Sequence, residues 1–133
     1  MNTQRMFLAF LVVLLLVYLY GIVVFGYALD SFHVAHQKWL RPPAQVPVAR
    51  AMLMTALHVA VVTLFYALFA RGQASRLSTG LVFGVLLGLV AGWIPEARTA
   101  MLLADYPFYA AWAPAIFGEY MVMGAALGLV YRE

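Results

Sequence analysis

Cysteine is absent from the 133 residues, and charge is scarce: Asp, Glu, Lys and Arg together make up 10% of the chain. Without thiols there is no disulfide framework, no thiolate nucleophile, and no zinc-thiolate or iron-sulfur site. The shortage of charge excludes more. Soluble domains carry about 25% charged residues and about 45 to 50% apolar ones, whereas this chain is 66% hydrophobic and 15% aromatic. A soluble globular protein, a disordered chain and a collagen-like repeat are all excluded. Also missing are a polybasic cluster, which argues against nucleic acid as a partner, and any nucleotide loop or serine triad. A non-enzymatic protein is expected, and no cofactor is nominated.

What is present is length in apolar runs. A hydrocarbon core of about 30 Å takes about 20 apolar residues of helix, at about 1.5 Å each. Four segments meet that requirement: Met6 to Leu29, Ala51 to Ala70, Leu77 to Ile94 and Phe108 to Tyr131. The first is unbroken from Phe7 to Val17 and contains no acid or base. It is longer than the about 7 to 15 residues of a signal-peptide core, so it is expected to remain as a membrane span. The expectation is an all-α integral membrane protein, a single domain over residues 1–133, built as a bundle of four transmembrane helices. Membranes leave no water to satisfy open backbone groups, so a helical bundle is the form these segments can take. Pro95 to Pro107 reads as a short interfacial helix between spans three and four. Pro42 and Pro43 stop any helix that runs beyond Leu29, and such a helix reaches at most to about Trp39.

Four spans put both termini on one side. Arg5, Arg71, Arg76 and Arg132 then share the terminal side, and Lys38, Arg41, Arg50 and Arg98 the other. The positive-inside rule is tied; the compact basic turn at Arg71 and Arg76 favours cytoplasmic termini in the cell membrane. Lack of bias also suits a chain that inserts both ways and pairs as an antiparallel homodimer. All three tryptophans, Trp39, Trp93 and Trp112, fall on the side of the two longer loops, as an interfacial aromatic belt does.

The most specific pattern is a ladder: Gly80, Gly84, Gly88 and Gly92 recur every fourth residue along span three. Such stripes let a neighbouring helix approach closely, which is how helices are held in lipid. Span four offers a small-residue surface of its own through Ala111, Pro114, Gly118, Ala125 and Gly128, with Gly124 at its margin. The ladder packs spans three and four within one chain, or docks another copy or subunit, or leaves room for a substrate.

Ionisable residues inside spans are functional suspects. Glu119 lies near the middle of span four, on a face shared with Trp112, Met123 and Ala126. It is either a proton-binding group or a protonated packing bolt. His58 lies in span two, about 10 Å deep against about 16 Å for Glu119 at about 1.5 Å per residue. With Thr55 one turn away, Glu119 and His58 form a candidate proton or ligand site. Pro114 deprives the Ala110 carbonyl of its donor and predicts a kink. Asp30, His33 and His36 share a face if span one continues, and two imidazoles with a carboxylate can hold a metal; an interfacial polar patch is the plainer reading.

Three functions fit. The first is a small subunit or assembly factor of a larger membrane complex, acting through helix contacts with other membrane subunits or itself. The second is a proton-coupled transporter or channel, homodimeric, using Glu119 and His58. A distant third is a pigment- or haem-binding redox or light-harvesting subunit using His58.

Overall fold

A computed structural model describes residues 2–35, 45, 47–72, 76–94 and 106–131. Among them there is no strand. Helix α1 spans Thr3–Tyr20 and starts on Asn2, whose side chain accepts a hydrogen bond from the Arg5 amide at 3.1 Å, the usual way to satisfy a first-turn donor. The chain then widens into a π-helical stretch, Gly21–Ala28, closed by the Leu29 amide donating to the Val24 carbonyl at 2.9 Å. A short α2, Asp30–Ala35, follows. Helix α3 is Val48–Phe69. Gly72, at φ 74° in the left-handed region, turns the chain towards α4, Leu77–Leu87, and this helix continues as a second π stretch, Gly88–Trp93. Helix α5, Tyr106–Val130, carries Pro114 within it. Both π stretches begin on glycine, where the α-helical preference is weaker by about 1 kcal/mol.

Among the described residues three helices are long and apolar enough to cross a membrane: Thr3–Ala28, Val48–Phe69 and Ala110–Val130. Leu77–Gly92 is apolar but shorter. The expected continuation of the first helix beyond Ala35, the interfacial helix at 95–107 as far as residue 105, and Trp39 lie outside the described residues.

Helix α5 is the hub. It packs along α4 and its π extension and, on another side, along α1; α3 leans mainly on α1. The core gathers at the end of the bundle where α1 starts and α5 finishes. Ala9, Val13 and Val17 of α1 meet Val59, Val62, Tyr66, Ala67 and Ala70 at the end of α3, with Phe83 of α4 and Tyr120, Met123, Ala126, Leu127 and Tyr131 of α5. Tyr66 stands edge-on to Phe83 at 5.2 Å and to Tyr131 at 6.0 Å between ring centroids. At the other end the packing changes. No residue of α3 before Val59 is buried, and none of the first π stretch is.

The α4–α5 contact is made of missing side chains. A methyl group built on Gly80 would overlap the Gly124 carbonyl oxygen and lie 2.8 Å from the Gly128 Cα; one on Gly84 would lie 2.6 Å from the Tyr120 carbonyl oxygen. Gly124 faces Gly80 and Gly84 in return, and a methyl on Gly128 would lie 2.6 Å from the Arg76 carbonyl oxygen. Gly88 and Gly92 receive the side chains of Phe117, Tyr120 and Ile116. The surface of α5 that meets the ladder therefore runs through Phe117, Tyr120, Gly124 and Gly128. Of the small-residue surface expected on this helix, Gly128 and, at its margin, Gly124 meet the ladder, whereas Gly118 looks towards α1. Phe117 and Tyr120 meet it by complementarity, because a groove of glycines accepts large side chains as readily as it accepts small ones.

Candidate functional site

Between the π stretch of α1, the beginning of α3 and the middle of α5 lies a cleft of about 390 Å³. Val17, Tyr18, Gly21, Ile22 and Phe25 line it from the α1 side, Val48, Ala51, Met52 and Thr55 from α3, and Glu119 from α5. It opens beside the start of α3, where Val48 to Met54 are all exposed. At its mouth Ile22, Val48 and Met52 are 56%, 61% and 50% exposed.

The hydroxyls in this cleft are already engaged. Tyr18 donates to the Met52 carbonyl at 2.9 Å and Thr55 to the Ala51 carbonyl at 3.0 Å. Just beside it, Tyr20 donates to the Ala115 carbonyl at 2.6 Å. Gly118 makes room for that bond, since a methyl group there would lie 2.5 Å from the Tyr20 hydroxyl oxygen. Tyr20 and Tyr120 lie within electrostatic reach of Glu119. Among the described residues no hydrogen bond or ion pair holds the Glu119 carboxylate, and no Lys or Arg lines the cleft. A half-buried carboxylate in a wall of apolar side chains can take up a proton, or hold a cation or hydrogen-bond donor brought from outside.

The expected partner of Glu119 is elsewhere. Counted from the helix starts at Val48 and Tyr106, His58 and Glu119 lie about 15 Å and about 20 Å along their helices. His58 is exposed, and its ring stands edge-on to Tyr120 at 5.6 Å, one residue round α5 from the acid. Among the described residues no hydrogen bond joins His58 to Glu119. Thr55 does share the cleft with Glu119, but its hydroxyl is bonded to its own helix.

Asp30 and His33 lie on α2, and His36 is outside the described residues. The His33 ring lies 5.3 Å from that of Trp112, and its buried Nε2 has no hydrogen-bond partner. Among the described residues no three potential ligands gather as a metal site. Trp112 also meets Phe25 at 4.9 Å, and Phe25 meets Tyr20 at 6.2 Å. Of the cleft lining, sequence reasoning named Glu119 and Thr55 as site residues and passed over Tyr18, Gly21 and Phe25, as it did Tyr20 beside it. The available signal was Tyr20, a hydroxyl set in an apolar run, which needs a buried acceptor.

Comparison with protein-family models, curated proteins and solved structures finds no match for the chain.

Proposed function

We propose that the chain is a non-enzymatic four-span membrane protein that couples transport to proton binding at Glu119. The observation that carries this reading is the setting of the carboxylate: it lines a cleft between three helices, and none of the cleft's other side chains is charged. In this reading Leu77–Gly92 is the fourth crossing. Its 16 residues rise about 24 Å, shorter than a typical core of about 30 Å, and a short span is accommodated by local thinning. Its close fit to α5 supports this, because a helix packed along its length against a spanning helix, by Gly80 and Gly84 on Gly124 and Gly128 and by Gly88 and Gly92 on side chains, crosses with it. An even number of crossings puts both termini on one side, which we take as cytoplasmic from the basic turn at Arg71 and Arg76. His58 is left out of the proton site.

The test is proton flux in proteoliposomes carrying an imposed pH gradient, followed with a trapped pH-sensitive dye. The wild-type chain is expected to dissipate the gradient faster than empty liposomes, and Glu119→Gln to match them. A wild-type rate equal to that of empty liposomes, or a Glu119→Gln rate equal to that of wild type, removes the reading.

One observation favours a second reading, a small subunit or assembly factor. The residues Val48 to Met54 are exposed on every face of α3, as they are where another subunit's helix completes a bundle. The glycine ladder does not support it, since α5 of the same chain fills that groove. Native mass spectrometry of protein gently extracted from its own membranes decides: a stoichiometric foreign chain supports this reading, and its absence removes it.

A further inference from the structure

We propose that the Glu119 cleft binds an organic monocation with an apolar, aromatic-compatible body, taken directly from the membrane; this rests on the transport reading and names its substrate class. The argument starts from complementarity. Glu119 is a carboxylate that no hydrogen bond or ion pair satisfies among the described residues, and every other contact surface of the cleft is apolar or a hydroxyl already engaged. A ligand that fills such a site brings one positive charge on a greasy frame. The rings of Tyr18 and Phe25 on the same wall suit it, because cations are attracted to aromatic faces. At about 390 Å³ the space is at the small end of ligand pockets, which run from about 300 to 1,000 Å³. It suits a small organic ion and is too small for a helix.

Depth selects among cations. Glu119 lies about 20 Å along α5 from Tyr106 and near the middle of that helix, deeper in a crossing helix than a lipid headgroup amine is anchored. Inorganic cations have no apolar surface to match the walls. A membrane-dissolved ion with buried or delocalised charge meets both conditions, and the exposed mouth at Ile22, Val48 and Met52 lets it pass sideways between α1 and α3.

Gly21 provides a test that leaves the acid untouched. It lines the cleft, its φ of −56° is ordinary for any residue, and a side-chain carbon built there meets nothing within 4 Å. Gly21→Leu thus fills the cleft without disturbing the backbone. Gly26→Leu, on the same π stretch but outside the cleft, is the control. The probe is tetraphenylphosphonium, titrated calorimetrically into the full-length protein in lipid nanodiscs, with neutral triphenylphosphine oxide as the uncharged comparison.

Wild type and Gly26→Leu are expected to show one saturable site for the cation. Gly21→Leu and Glu119→Gln should each weaken it by about tenfold or more, since a charge pair strengthens where water is scarce, and the neutral compound should bind at least about tenfold more weakly to wild type. Equal cation binding by wild type and both cleft variants overturns the proposal, as does equal binding of the neutral compound. So does a stoichiometric lipid or foreign chain found in the cleft of the purified protein. Proton flux that depends on Glu119 without cation binding removes the substrate class and keeps the transport reading; cation binding without flux does the reverse.

Discussion

At the end of the bundle near Arg71 and Tyr131 the helices α4 and α5 meet backbone to backbone, while at the opposite end the first residues of α3 are exposed and a cleft opens beside Glu119. Glycine occurs in both regions and does opposite things. Gly80, Gly84, Gly124 and Gly128 are places where even one methyl group would collide with the neighbouring helix. At Gly21 the same methyl meets nothing within 4 Å. In lipid, apolar burial gives helices no reason to prefer each other over acyl chains, so close packing carries the stability. The closed end is therefore where the fold is held, and the open end is free to serve a ligand.

The comparison breaks most sharply if one substitution is made at both ends. Gly80→Leu forces α4 from the backbone of α5, and its cost should exceed the about 1 to 3 kcal/mol usual for overpacking because backbone cannot step aside. Gly21→Leu should leave stability within about 0.5 kcal/mol. Unfolding titrations in mixed detergent micelles measure both. Similar losses at the two positions would mean that the cleft is closed in the folded protein.

Function should fail in the reverse pattern. Glu119→Gln keeps the shape of the side chain and removes the exchangeable charge, so proton flux should fall to the level of empty liposomes while the unfolding midpoint moves little. If unfolding moves and flux does not, Glu119 is a packing bolt and the open end has a structural role only.

How much of this was legible in the sequence follows from what each signal averages over. Apolar length accumulates over many residues, so three of the segments are visible as long apolar helices, and Thr3–Ala28 departs from Met6 to Leu29 only at its ends. Leu77 to Ile94 was visible too, as an apolar helix shorter than the others. The glycine ladder was legible because four positions repeat it, and so were Gly124 and Gly128 opposite it; Phe117 and Tyr120 were not, because they are large and fill the groove with side chains. The place of Glu119 near the middle of its helix was legible and its surroundings were not. Which side chains meet across helices depends on rotation and splay, and the π stretch at Gly21–Ala28 changes the rotation per residue without a sequence signature beyond its glycines.

A smaller effect sharpens the boundary between the regions. Tyr20→Phe removes the hydroxyl that reaches the Ala115 carbonyl from α1. A net loss of about 0.5 to 1.5 kcal/mol is expected, read in the same unfolding titration. A loss near zero would show that Gly118 leaves a space the hydroxyl does not need, and would place the edge of the open region on the Tyr20 side of α5.

The smallest effect has the opposite sign and tests whether the closed end is dry. Helix α3 carries a threonine in each region. Thr55, at the open end, donates to the Ala51 carbonyl one turn back. Thr63, at the closed end, is 2% exposed, and its hydroxyl has no hydrogen-bond partner. A buried hydroxyl left unsatisfied costs about 1 to 3 kcal/mol, and replacing it by an apolar group of the same shape relieves that cost. Thr63→Val should therefore stabilise the protein by about 1 kcal/mol, whereas Thr55→Val should change it by less than about 0.5 kcal/mol. Destabilisation by Thr63→Val would mean that water reaches the hydroxyl, and a core that admits water at Thr63 is not the sealed half that the contact between α4 and α5 implies.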